Sequence, residues 1–216
     1  MPHVCLLLSG AALLINGLAI LGHLPRRDAA VLSLVVGSIQ LVLAVGYVTN
    51  DDGGGGLLPT AAGMFLFGLT YVYVGLDVLL NLGSKGLGWF CGMVAFVGLL
   101  LAAAWLNTDP LLAVLWLAWA ALWGLMFASM ALGLGCLDPA IGWGLVLASQ
   151  ATATIPAFLG LAGAWPRTPG LAWLAAAILA ALFAAAFLLA RREGRAALPA
   201  SLVSADGAGP VSTSNP

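Results

Sequence analysis

The stretch Leu111-Leu-Ala-Val-Leu-Trp116-Leu-Ala-Trp119-Ala-Ala-Leu-Trp123-Gly-Leu-Met-Phe-Ala-Ser-Met-Ala-Leu132 carries no charged residue. At about 22 residues it meets the ~20 that a helix needs to cross a hydrocarbon core. Tryptophans of membrane helices ordinarily collect at the two water interfaces. Here three of them lie near the middle of the run. At about 100° per residue, their offsets of 0, 3 and 7 put all three indoles within roughly a 60° arc of one helix face. Such a stripe either lines an interior or packs against a neighbouring helix, and spacing alone permits both.

The rest of the chain repeats the pattern. Of 216 residues, 62% are hydrophobic and 7% charged, against roughly 25% charged in soluble domains. This composition belongs to an integral membrane protein. The seven basic and eight acidic side chains fall almost entirely between or after the apolar runs, as expected where a charge in lipid is costly. A net charge of −1 argues against a nucleic-acid partner. Gly, Pro, Asp, Asn and Arg divide the chain into seven lengths sufficient to span a bilayer, roughly 4–22, 29–49, 59–80, 87–106, 111–132, 140–164 and 170–190. The fold class is thus all-α, a polytopic membrane helical bundle whose short linkers make sequential helices antiparallel neighbours. The first run lacks a basic leader and ends at His23-Leu-Pro-Arg-Arg-Asp28 without a small-residue cleavage site, so it is read as a retained helix. Asn50-Asp-Asp-Gly-Gly-Gly-Gly56 reads as a flexible acidic loop. The tail after Arg195, rich in Ala, Ser, Gly and Pro, is expected to be disordered.

Basic residues set the expected orientation. Arg26, Arg27, Lys85, Arg191, Arg192 and Arg195 share one side, and Arg167 alone lies on the other. The positive-inside rule then puts the N-terminus outside and the C-terminus in the cytoplasm of a plasma (cell inner) membrane, with Asp51, Asp52 and Asp109 outside. Trp89, Trp105, Trp143, Trp165 and Trp173 sit near predicted helix ends and read as ordinary aromatic belts. Trp116, Trp119 and Trp123 remain apart from them.

A second aromatic face lies in the third helix, where Phe67, Thr70, Tyr71 and Val74 fall on one side. Asp77 stands at its edge, either as a pore-mouth hydrogen-bonding group or as a solvated helix end; Asn81 and Lys85 nearby favour the second. Asn16, Ser38, Gln40, Ser149, Gln150, Thr152 and Thr154 are uncharged polar groups that must find partners in lipid. Individually they serve as interhelical glue at about 0.6 to 2 kcal/mol each. Together with the indoles, Gln150, Thr152 and Thr154 also suit a polar path for a neutral solute, and Pro156 frees a backbone carbonyl one turn earlier toward the interior.

No catalytic constellation emerges. The only histidines, His3 and His23, lie at helix ends, and no Ser–His–acid grouping exists. Cys5, Cys91 and Cys136 are dispersed and read as small buried hydrophobes, so no metal site, disulfide or cofactor is expected. There is no GxxxxGK[ST] loop for ATP. A retinal protein would need a lysine in the last helix, whereas the sole lysine is Lys85.

Three blocks carry a resemblance: Phe65-Leu-Phe-Gly-Leu-Thr-Tyr71-Val-Tyr73, Leu115-Trp-Leu-Ala-Trp-Ala-Ala-Leu-Trp123 and Ala153-Thr-Ile-Pro-Ala157. Over roughly residues 4–164 the chain resembles the AmiS/UreI family of urea channels and short-chain amide transporters. The resemblance implies a homohexamer in the lipid bilayer whose protomers each hold a pore for urea or short aliphatic amides. It implies constrictions at Phe67, Tyr71, Trp116, Trp119, Leu122 and Trp123, with Asn16, part of an Asn-Gly pair, as a weaker carry-over. On this reading, residues 1–166 form a six-helix channel core, 167–192 an additional transmembrane helix and 193–216 a cytoplasmic tail.

The physics is compatible. A small, planar, neutral solute must shed water, and flat aromatic faces with a few hydrogen-bonding groups suit it.

The chain departs from the family pattern in three places. Family channels commonly have a glutamate in the sixth helix, where this chain reads Ala148-Ser149-Gln150. Acid-gated members have a long histidine-bearing loop between the second and third helices, and none is present here, so acid gating of that type is not expected. The seventh helix is additional, and its apolar residues on nearly every face suit a peripheral, lipid-exposed position. Two rival readings remain: proton-coupled amide uptake through Asp77, and a non-transporting scaffold in which the aromatics only pack helices.

Overall fold

The computed structural model describes residues 1–50 and 57–196. The expected acidic loop from Asp51 onward and the tail beyond Ala196 lie outside the described residues. Among the described residues all regular structure is helical: α1 (Pro2–Ile20), α2 (Arg26–Val48), α3 (Leu58–Leu80), α4 (Lys85–Trp105), α5 (Pro110–Met130), α6 (Asp138–Ala148), a π-helical turn (Ser149–Thr154), α7 (Ile155–Leu161) and α8 (Pro169–Ala196). The π turn joins α6 to α7 in one span, so seven helical lengths are long and apolar enough to cross a membrane.

Prolines start most of these helices. Pro stands in the first turn of α1, α3, α5 and α6, where its missing N–H removes no helical bond and its fixed φ is already helical; Pro156 instead lies inside the continuous sixth span, just after the π turn. Asp109 caps α5, its Oδ1 accepting from Leu112 N at 3.0 Å; this satisfies one of the orphan N–H groups of the first turn. Left-handed residues follow several C-termini, including Gly133 at φ 77° and Gly163 at φ 70°, where an L side chain would be strained.

The helices close into a ring. Each of α1 to α5 packs on its successor in sequence, and α6 packs on both α5 and α1. Once helices are inserted, lipid tails are as apolar as leucine, so close van der Waals fit holds the ring together. Glycines allow the closest approaches: a Cβ at Gly37 would lie 2.6 Å from the Gly68 carbonyl oxygen across α2 and α3, and one at Gly17 would lie 2.8 Å from the Gly142 oxygen across α1 and α6.

The seventh span stands outside this ring, against α6 and α5. Only 17% of its most apolar window is buried, against 33–44% in the others. Its buried residues Ala172, Leu179 and Ala186 recur every seven positions, which gives one narrow seam. Trp143 Nε1 donates to Glu193 Oε1 at 3.0 Å and ties the far end of α8 to α6. The helix runs on to Ala196, past the residue 193 at which the tail was expected to begin.

Candidate functional site

The ring encloses two cavities that share no lining residue. One, of about 360 Å³, opens on the side of the α1 N-terminus, where Pro2, His3, Tyr47, Thr60, Asp109, Trp165 and Arg167 line it. The other, of about 290 Å³, opens on the opposite side among Asn16, Arg26, Asp77, Ser84, Ser129 and Asp138. Between them lies an aromatic layer. Phe67, Trp116 and Trp119 form the floor of the His3-side vestibule, and Thr70, Tyr71 and Trp123 form the floor of the Asp77-side vestibule.

Phe67 is the hub of that layer. Its ring meets Trp119 edge-on at 5.1 Å and Trp123 edge-on at 4.9 Å, and it tilts over Trp116 at 5.7 Å. Trp116 and Trp119 are themselves perpendicular at 5.1 Å. Edge-to-face pairs place the positive ring edge on the negative π face, at about 0.5–1.5 kcal/mol per pair beyond area burial. All four rings are buried. The one-sided stripe deduced from helical spacing therefore faces the inside of the ring. Trp116 fits there because α3 carries a glycine opposite: a Cβ at Gly63 would approach its Cζ2 to 2.7 Å.

Threonines fix the two deepest indoles. Trp119 Nε1 donates to Thr152 Oγ1 at 3.1 Å, and Thr152 passes its own proton to the Ala148 carbonyl at 2.7 Å. Likewise Trp123 Nε1 donates to Thr70 Oγ1 at 3.2 Å, while Thr70 donates to the Leu66 carbonyl at 2.7 Å. Both indole N–H groups are thereby used within the protein. What these rings offer a solute is their π surface. Tyr71 hydroxyl reaches the Ser9 carbonyl at 3.4 Å, across to α1.

Several expected site residues take other places. Gln150 is exposed on the outside of the sixth span, so it is no part of an interior polar path. Thr154 lines neither vestibule; it packs on α1, where a Cβ at Gly10 would clash with its Oγ1. Thr152 is interior, as an anchor for an indole. Leu122, fully buried, lines neither vestibule and lies against Gly144 of α6. The carbonyls around the π turn face hydroxyls of their own helix: Ser149 donates to Val146 O, Thr152 to Ala148 O and Thr154 to Ser149 O.

Asp77 is not a solvated helix end. It is only 5% exposed and lines the second vestibule, with Oδ1 accepting from Ser84 N at 2.9 Å and Oδ2 accepting from the Ser84 hydroxyl. It thus holds the turn between α3 and α4, in which Asn81 and Ser84 are left-handed. Across the same vestibule Ser129 donates to Asp138. Asn16 uses both amide protons, on the Ala12 carbonyl and on Ser33 Oγ, each at 2.8 Å, which leaves its oxygen as the acceptor on the vestibule wall.

Three contributors at the His3 side escaped sequence reasoning. Trp165 and Trp105, expected in the interfacial belts, line that vestibule. Trp165 Nε1 donates to Asp109 Oδ2 at 2.9 Å, and its ring lies tilted against His3 at 5.6 Å. Gln40 donates from Nε2 to the Cys5 carbonyl at 2.7 Å and to Ser9 Oγ at 2.8 Å. Because the Cys5 oxygen accepts only, these contacts fix the amide's orientation, and its Oε1 has no hydrogen-bond partner among the described residues. Trp89 and Trp173, by contrast, are exposed near span ends, as belts require.

A model of the AmiS/UreI family transporters matches residues 1–164. A protein of Rhodococcus erythropolis named as transporter protein AmiS2 is 41% identical over 201 residues, covering 92% of this chain and 97% of its own. A protein of Mycolicibacterium smegmatis named as an amidate substrates transporter is 36% identical over 199 residues, covering 90% and 91%. Alignments of that length include the seventh span. The urea channel of Helicobacter pylori superimposes with a TM-score of 0.68 at 26% identity, and its whole chain is matched by 77% of this one. A closed-state structure of that channel gives a TM-score of 0.69 with the same identity and coverage.

Proposed function

The chain belongs to the AmiS/UreI family of transporters, and from that premise we propose that it passes urea or short-chain aliphatic amides through a pore inside each protomer. The observation that carries the reading is the pair of vestibules opening on opposite sides and divided by one aromatic layer. Solute enters one vestibule, loses water against apolar walls and slides between ring faces, with the indole N–H groups of Trp119 and Trp123 already occupied. A neutral, flat molecule suits this passage because no fixed charge lies in the layer to trap or repel it. The solute leaves unchanged, since the layer offers it no nucleophile or acid–base pair.

The functional layer comprises Phe67, Tyr71, Trp116, Trp119 and Trp123, with Asn16 and Asp77 at the second mouth. Leu122 and Thr152 act from behind by holding the rings. The family resemblance supports a homohexamer in the plasma membrane. The cluster of Arg26, Arg27, Lys85, Arg191 and Arg192 on the Asp77 side, opposite Arg167, supports a cytoplasmic position for that vestibule. Asp77 is tied to Ser84 through both oxygens, which favours a structural role over a proton relay.

Reconstitution into liposomes with stopped-flow uptake of urea and acetamide tests the proposal. Permeability well above that of empty vesicles is the expected result. Permeability equal to empty vesicles for both solutes refutes it.

A further inference from the structure

Trp165 stands in the linker between α7 and α8, one residue beyond the family match that ends at 164, yet three contacts hold it over a vestibule. Its Nε1 donates to Asp109 Oδ2, its ring lies tilted against His3 at 5.6 Å, and, partly buried, it packs against the main hydrophobic core. Asp109 is in turn fixed by capping α5 through its other oxygen. A flexible linker indole would have none of these ties. The seventh span supplies the far anchor, because its seam on α6 and α5 keeps the linker across the vestibule rim.

The chemistry of this wall is specific. Trp165, Trp105, Leu6 and Leu112 line one continuous vestibule with Phe67, Trp116 and Trp119, and Trp165 packs against the core cluster to which those three rings belong. The indole N–H is already paired with Asp109, and the Asp109 carboxylate with Trp165 and Leu112 N, while His3 and Arg167 stand beside them on the same wall. Trp165 therefore meets a solute through its π face. Such a face can lie against any planar head, urea included, and gains further contact only from an alkyl tail, which urea lacks.

We propose that Trp165 is a specificity-determining residue: it holds the alkyl tail of a short aliphatic amide while the planar amide head enters the ring layer at Phe67. This rests on the reading of the chain as an amide and urea pore. Contact kept while the head crosses the layer lowers the barrier itself, so it raises permeability and not occupancy alone. Removing water from one methylene corresponds to roughly a fourfold preference at full burial, so a half-open wall gives about twofold per methylene.

The test is stopped-flow permeability of urea, acetamide, propionamide and butyramide through proteoliposomes of the wild type, Trp165→Phe and Trp165→Ala. Size-exclusion chromatography confirms that each variant is folded. The expected result is a butyramide-to-urea ratio that falls at least threefold in Trp165→Ala and less in Trp165→Phe. A ratio that stays constant or rises overturns the inference, and so does a parallel loss of all four solutes, which would assign Trp165 a structural role only. Wild-type protein with no flux of any solute refutes the pore reading itself; flux with an unaltered ratio refutes only the role of Trp165.

Discussion

Thr70→Val removes one oxygen and little else, and its consequence can be worked out from two hydrogen bonds. In the native protein Trp123 Nε1 donates to Thr70 Oγ1 at 3.2 Å, and the hydroxyl proton goes to the Leu66 carbonyl. Trp123 and Thr70 are both essentially inaccessible, so valine leaves the indole N–H without an acceptor. An orphaned buried donor costs about 1–3 kcal/mol, while membrane-helix hydrogen bonds average nearer 0.6 kcal/mol with a maximum of about 1.7. A loss of about 1–2 kcal/mol follows, between those two scales. The assay is a double-mutant cycle with Trp123→Phe, read as unfolding free energy in a detergent titration. Once phenylalanine replaces the indole, Thr70→Val should cost less by about 0.6–2 kcal/mol, since the donor it orphans is gone. Additivity within about 0.3 kcal/mol would mean that the bond does not hold Trp123, and the account of how the rings are fixed would fail.

Further expectations concern neighbouring features. Gly63→Ala brings a Cβ to 2.7 Å from Trp116 Cζ2; it should shift that indole, cost about 1–3 kcal/mol and change urea permeability severalfold, whereas Gly124→Ala, with open space around it, should be neutral in both assays. Asp77→Asn keeps an acceptor for Ser84, so solute flux should persist and stay insensitive to a pH gradient; a proton-driven flux abolished by this change would restore the relay reading. Cys136 is exposed while Cys5 and Cys91 are buried, so a membrane-impermeant maleimide should label one site per chain, and only from the cytoplasmic side. Labelling of intact cells from outside would reverse the proposed orientation. A chain ending at Thr168 should still close the six-helix ring and pass urea, because the seventh span lies outside it; loss of a folded protein would contradict that peripheral position.

What the sequence revealed and what it hid follow from the range of the interactions. The indole stripe and the Phe67–Tyr71 face were readable because helical period converts spacing into a face, and each face proved to turn inward. Gln150 misled because its place on the path rested on polarity and on the nearby Pro156, with no face assigned; along the π turn at Ser149–Thr154 Gln150 is exposed while Thr152 is buried. Asp77 was obscured because its partner, Ser84, reaches it through a left-handed turn that periodicity does not describe. Trp165 was hidden for a different reason: its position near a helix end fits an interfacial belt equally well, and only the meeting of α1, α5 and the α7–α8 linker reveals a vestibule wall. The seven spans needed only local hydropathy and were legible throughout. The π turn in the sixth was not, although Pro156 lies just beyond it.

The central claim is that the aromatic layer is the selective passage, and its most direct test compares urea with glycerol permeability in proteoliposomes of the wild type, Trp119→Ala and Trp123→Ala. The account expects wild-type protein to pass urea and exclude glycerol, and each alanine variant to change urea permeability severalfold and admit glycerol while remaining folded. Folded variants with the wild-type permeability to both solutes would contradict it.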